Sequence, residues 1–233
     1  MEAKLKGKWP NFEKSSYWNS IKSTIFLEKH NLIGSKTARS GTLEGFLFPE
    51  TYQYEKETSI ESLIDSALSQ FKERALPILK EHPWASTHEG LYKLVTLASI
   101  VEKESGHADE QPMIASVFWN RIEKKMRLQS DPTTIYALFP NFDGNLRRVH
   151  LNEKTDYNTY QIPSLPLGPI ANPGLSAIQA VLNPESSDYL YFVSKGDGYH
   201  IFSKDYETHR QRVVQYQIKG RKKRSAASEE QRK

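Results

Sequence analysis

The run Leu91-Tyr-Lys-Leu-Val-Thr-Leu-Ala-Ser-Ile-Val-Glu102-Lys-Glu104-Ser-Gly106 decides how the rest of the chain is read. Leu91, Leu94, Val95, Leu97, Ala98 and Val101 recur at steps of three and four, the pattern of one apolar helix face, and Lys103 falls opposite them. Gly106 offers a stop. Two carboxyls therefore stand in the last turn of an otherwise greasy helix. At 100° per residue, Glu102 lies about 70° from the centre of the apolar stripe and Glu104 about 90° from it on the other side, which favours Glu102 only slightly. A carboxyl held against an apolar face is costly to ionise, so its pKa rises and it becomes a proton donor near neutral pH. The plain alternative is a pair of solvated glutamates in a last turn.

Outward from this helix, the spacing predicts further helices over 60–80, capped by Ser59 or Thr58, and over 112–125, with Met113, Ile114, Val117, Phe118 and Ile122 inward. Asp131-Pro132 opens a short one, with Asp131 as N-cap. Asn172-Pro173-Gly174 introduces another over 175–182. The stretch 139–173 carries several prolines and glycines and little period, the mark of a functional or mobile loop. Leu43 to Tyr52, rich in aromatics, reads as extended and broken by a turn. Tyr189 to Ser194 and Tyr199 to Ser203 flank Gly196-Asp197-Gly198 and read as a β-hairpin. A helix over 205–218 closes the fold. The expected class is α+β, helix-dominated, with a small antiparallel β element at the C-terminal hairpin. Residues 1–40 lack a clear period beyond one modest helix over 17–32 and are expected at the periphery. The main domain is expected over 41–218, and residues 219–233 as a basic, disordered tail.

Bulk properties narrow the function. The 233 residues, 37% hydrophobic and 26% charged, suit one soluble domain. No run of 18 apolar residues occurs, and the first thirty residues lack the layout of a secretory signal. The net charge of +4 rests largely on Lys219, Arg221, Lys222, Lys223 and Arg224, a solvated tail rather than a nucleic-acid surface. With no cysteine there is no thiol chemistry. The seven histidines include no pair at ligand spacing, so no metal and no cofactor are expected. Phosphate-loop and serine-elbow motifs are absent.

Polar groups in irregular segments suggest binding. Gln129-Ser130-Asp131-Pro132-Thr133 is one group, with simple helix capping as its alternative. Tyr157-Asn158-Thr159-Tyr160 is another: its rings could stack on sugar faces while Asn158 bonds an acetamido group, or it could be a turn with packed tyrosines. Asn172 sits in a stiff proline loop that alone says little.

Read together, Leu43-Glu44-Gly45-Phe-Leu-Phe-Pro49-Glu-Thr-Tyr52, Ala98-Ser-Ile-Val-Glu102-Lys-Glu104, Ala115-Ser-Val-Phe-Trp-Asn120-Arg121, Met126-Arg-Leu-Gln129-Ser-Asp131-Pro132-Thr133, Tyr157-Asn-Thr-Tyr160 and Tyr189-Leu-Tyr-Phe-Val193 resemble the catalytic domain of the endolytic murein transglycosylases, the YceG-like family. The resemblance runs from about Glu44 to Tyr216. It implies a lyase that cuts nascent peptidoglycan strands between N-acetylmuramic acid and N-acetylglucosamine and leaves 1,6-anhydromuramic ends. It places Glu102 at the family's catalytic position, as a single acid then base, and Glu104, Gln129, Asp131, Asn158, Thr159, Tyr160 and Asn172 are expected to bind substrate. Expected partners are glycan strands and peptidoglycan synthases, at the outer face of the cytoplasmic membrane. The family's membrane anchor and LysM-like domain are not found ahead of Glu44, so the chain reads as truncated, with residues 1–40 a remnant of that region. A hydrolytic muramidase with Glu104, Glu44 or Asp131 as second carboxylate, and a glycan-binding module without activity, are the alternatives.

Overall fold

Thr87 begins the helix that organises the molecule: its hydroxyl accepts the Gly90 N–H at 3.0 Å, and the helix runs His88–Glu104. In the computed structural model, which describes residues 19–20, 22–34, 37–55 and 57–219, this helix is covered on most sides. Every residue from Leu94 to Val101 is buried, so the apolar stripe read from the sequence widens into the central rod of the core. Thr96 and Ser99 are tolerated there because their hydroxyls donate to the carbonyls of Tyr92 and Thr96 at 2.8 and 2.7 Å. The helix ends without the expected glycine stop. Ser105 is extended, and its hydroxyl accepts the His107 N–H at 3.0 Å.

In chain order the α-helices that lie wholly within the described residues are α1 (Ile25–Lys29), α2 (Ile60–Gln70), α3 (Leu76–Leu79), α4 (His88–Glu104), α5 (Gln111–Glu123), α6 (Asp131–Leu138), α7 (Arg148–Asn152), α8 (Leu175–Leu182) and α9 (Tyr206–Val213). One π-helical segment, Phe71–Ala75, joins α2 to α3, and another, Val214–Lys219, extends α9. Ser59 caps α2, as the sequence allowed. The strands β1 (Tyr191–Ser194) and β2 (His200–Ser203) pair antiparallel, with Phe192 opposite Phe202. The architecture is therefore the helix-dominated α+β arrangement expected from the sequence, with one two-stranded hairpin among the described residues.

Helix α4 packs against α5, α8 and a 3-10 turn at Pro83–Ser86, while α8 bridges α4 and α5. Helix α9 lies on the hairpin, and β1 also touches α5. The segment 1–40 differs from the reading of it as peripheral. Leu27, Leu32 and Ile33 are each at most 1% exposed and belong to the main core. The short helix read over 17–32 is realised mainly as α1, while residues 1–18 and the tail beyond 219 lie outside the described residues.

Two tethers fix the loops around α4. Ser99 Oγ accepts the Ile170 N–H at 3.0 Å, and Asn172 Oδ1 accepts the N–H groups of Gly45 and Leu47 at 2.8 and 3.2 Å. Gly45 is required at that junction. Its φ is +92°, and a Cβ there would lie 2.5 Å from Pro169 Cγ and 2.8 Å from Val95 Cγ1. Among the described residues no helix is long and apolar enough to cross a membrane.

Candidate active site

The two glutamates at the end of α4 face different surroundings, as a 200° separation on a helix dictates. Glu102 Oε2 accepts the Gly174 N–H at 3.2 Å, at the start of α8, where the N-terminal dipole suits a carboxylate. Glu104 points instead into a cavity of about 460 Å³, formed between the 128–131 segment, Tyr160, the hairpin and α9.

Burial pushes the Glu104 carboxyl up to about 7, a hydrogen bond from Ser130 pulls against it, the Asp131 charge adds to the rise and Arg121 opposes it. Desolvation dominates, which favours the protonated carboxylic acid. Ser130 Oγ donates to Glu104 Oε1 at 2.5 Å. Ser130 occupies the N-cap position of α6, where Asp131 had been expected; its hydroxyl serves Glu104, not the helix end, and Asp131 is the first helical residue.

A hydrogen-bonded staple holds Ser130 in place. Its N–H donates to Thr159 Oγ1 at 2.9 Å, Gln129 N–H donates to the Thr159 carbonyl at 3.2 Å, and Thr133 Oγ1 lies 2.8 Å from Thr159 Oγ1. Gln129 takes a left-handed φ of +50°, a strained conformation for a residue with a Cβ. The strain turns the chain so that Gln129 and Asp131 are exposed at the cavity while Ser130 between them is buried. Tyr160 OH donates to Asp131 Oδ1 at 2.7 Å, and burial together with that carboxylate raises the phenol's pKa.

Asn158, Thr159 and Asn172, expected to meet substrate, are used by the fold. Asn158 is 0% exposed. Its Oδ1 accepts from Thr134 Oγ1 and Tyr160 N–H, and its Nδ2 donates to the carbonyls of His150, Leu151 and Glu153. Every polar valence of that amide is satisfied internally. Thr159 is also 0% exposed, and Asn172 holds the Gly45 turn.

Other contributors were not singled out from the sequence. Arg121, 7% exposed, donates from Nε to the Leu190 carbonyl at 2.6 Å and from Nη1 to the Leu128 carbonyl at 2.7 Å, and lies 5.1 Å over the Tyr191 ring. It braces the hairpin against the 128–131 segment. His200, from β2, lines the same cavity, and its Nδ1 lies 2.6 Å from Glu110 Oε2. No single-residue signal marks these groups, because the bonds from Arg121 to Leu190 and between His200 and Glu110 span 69 and 90 positions along the chain. Glu44 is a separate case: burial raises its pKa, and it bears electrostatically on Tyr136 and Tyr157 rather than on Glu104. Among the described residues no cluster of His, Asp and Glu could hold a metal ion.

Fold and cavity together define a helix-dominated α+β protein in which a desolvated carboxyl lines an open, polar cleft. Residues 9–215 match the YceG-like family model. The chain is 38% identical over 175 residues to the endolytic murein transglycosylase of Bacillus subtilis, covering 75% of this chain and 48% of that protein. Against the endolytic murein transglycosylase of Streptococcus pneumoniae serotype 2 it is 34% identical over 184 residues, covering 75% of this chain and 32% of that one. A crystal structure of a yceG-like protein from Listeria monocytogenes superposes with a TM-score of 0.80 at 31% identity, over 90% of this chain and 71% of that chain. The chain belongs to the YceG-like family. It spans about half the length of the Bacillus relative and about a third of the Streptococcus one.

Proposed function

We propose that this chain carries the catalytic part of a peptidoglycan lytic transglycosylase, with Glu104 rather than Glu102 as the acid. The observation that carries the reading is the Glu104 carboxyl itself. It is desolvated, raised to about 7, held by Ser130 and open to a cleft of sugar-binding size. Its relatives' names supply the substrate class.

Glu104, protonated, gives its hydrogen to the oxygen that links N-acetylmuramic acid to N-acetylglucosamine. The C1–O bond breaks, positive charge develops at C1, and the C6 hydroxyl of the same muramic residue attacks C1 to close the 1,6-anhydro ring. Its proton returns to the enzyme, so the carboxyl is restored and no water is consumed. In the simplest form the Glu104 carboxylate takes it back. Because the nucleophile is already part of the sugar, intramolecular attack replaces a positioned water. Asp131 and Tyr160 supply polar contacts beside the reacting centre, and Gln129 an amide at the cleft edge.

Asp131 also gives the cleft a second carboxyl, and a hydrolytic muramidase would use it to activate water. The product masses decide. Digestion of purified peptidoglycan by the wild-type chain is expected to yield ring-closed muramic ends, one water lighter than reducing ends; reducing ends alone would establish hydrolysis instead.

A further inference from the structure

We propose that His200 is a second proton-handling residue of this cleft, its Nε2 receiving the proton of the muramic C6 hydroxyl as that oxygen attacks C1, with Glu110 as the positioning residue behind it. The inference rests on the glycan-cleaving reading above and refines its last step.

His200 opens strand β2 and lines the same cavity as Glu104. Its side chain is 10% exposed and that of Glu110 8%, so the pair is nearly dry. Glu110 Oε1 accepts the His200 backbone N–H at 2.8 Å, and Oε2 lies 2.6 Å from Nδ1. A carboxylate only accepts hydrogen bonds, so Nδ1 donates to Glu110 and Nε2 is the basic position the ring can offer the cleft. Among the described residues Nε2 has no hydrogen-bond partner. Phe192 meets the ring edge-on at 5.3 Å and fixes its plane. A purely structural tie between α5 and the hairpin accounts for the bonds to Glu110. It gives no reason for His200 to line the cavity with its other nitrogen unused.

The step balances. Glu104 loses a proton to the leaving oxygen as the C1–O bond breaks; the C6 oxygen bonds to C1 and releases its proton to Nε2. The imidazolium, steadied by Glu110, then returns a proton to the Glu104 carboxylate before the next turnover.

The test compares Glu104→Gln and His200→Gln on peptidoglycan and on an aryl glycoside of a muramic-acid-terminated oligosaccharide, whose phenolate departs without protonation. On peptidoglycan both variants are expected to lose about 100-fold or more in kcat. On the aryl glycoside Glu104→Gln is expected to recover while His200→Gln stays slow. Wild-type kcat for His200→Gln overturns the proposal. So does a Glu104→Gln variant that stays slow on the aryl glycoside, since the carboxylate would then be the base. Glu110→Gln keeps an acceptor for the backbone N–H but sets an amide donor against Nδ1, which moves the ring hydrogen to Nε2. It should lower kcat with KM within about twofold, and ring ¹⁵N shifts should report the exchanged tautomer. An exchanged tautomer with unchanged kcat counts against the proposal. A wild-type chain that forms no anhydro ends on either substrate refutes the cleavage reading itself, and this one with it.

Discussion

At Glu104 a single shift links stability to chemistry. Its folded-state pKa of about 7 stands above the ordinary carboxyl value of 4.5, so between those two pH values the folded chain binds more protons than the unfolded one. The contribution of this group to stability therefore falls as pH rises from about 4.5 to about 7, and the cost is complete above that. Glu104→Gln removes the cost. Its melting temperature relative to wild type should rise between pH 4.5 and pH 7.5; a constant difference across that range would mean the carboxyl is not desolvated. Activity should decline above pH 7 as the acid loses its proton. Ser130→Ala removes the hydrogen bond that favours the charged form, so the declining limb should move to higher pH, whereas Asp131→Asn should move it lower. Measured pH–rate profiles of the two variants that shift in the same direction would contradict these causes. The sequence showed two candidate carboxyls at the end of one helix, but their helical phase scarcely separated them. What separates them is tertiary: Ser130 closes over Glu104 from 26 residues away, while Gly174 reaches Glu102 from 72.

At the scale of elements, helix positions were legible because period and caps are local, and α4, α8 and the hairpin appear close to where the spacing put them. The use of polar loop residues was not. Asn158 in a turn between tyrosines has the composition of a sugar contact, yet its five hydrogen bonds join the end of α7, the Tyr160 turn and α6. Asn158→Ala is expected to cost about 2–4 kcal/mol, since it strands the Glu153 carbonyl and the Tyr160 N–H and removes one of two donors from the His150 and Leu151 carbonyls. Denaturant unfolding should show it, with activity reduced through the displaced Tyr160. A change under about 0.5 kcal/mol would return Asn158 to the role of ligand-facing residue. The left-handed Gln129 was equally invisible, because nothing in Leu-Gln-Ser-Asp-Pro requires it; the Thr159 staple imposes it.

Across the whole molecule, the family match begins at residue 9, and the described part of the first forty residues supplies core rather than fringe. Leu27, Leu32 and Ile33 are fully buried, and each such side chain is worth roughly 1.5–3 kcal/mol, so together they approach the usual margin of domain stability. Removing residues 1–40 should abolish cooperative unfolding as seen by circular dichroism; a sharp transition within a few degrees of the intact chain would show the segment to be dispensable. Its aperiodic sequence hid this, since its apolar residues enter the core from turns instead of along one helix face. The account as a whole turns on which glutamate delivers the proton. Mass analysis of muropeptides released from purified sacculi by wild type, Glu104→Gln and Glu102→Gln tests it most directly. Anhydro ends should vanish with Glu104→Gln and persist with Glu102→Gln, whereas the reverse outcome would contradict the assignment and return the acid to Glu102.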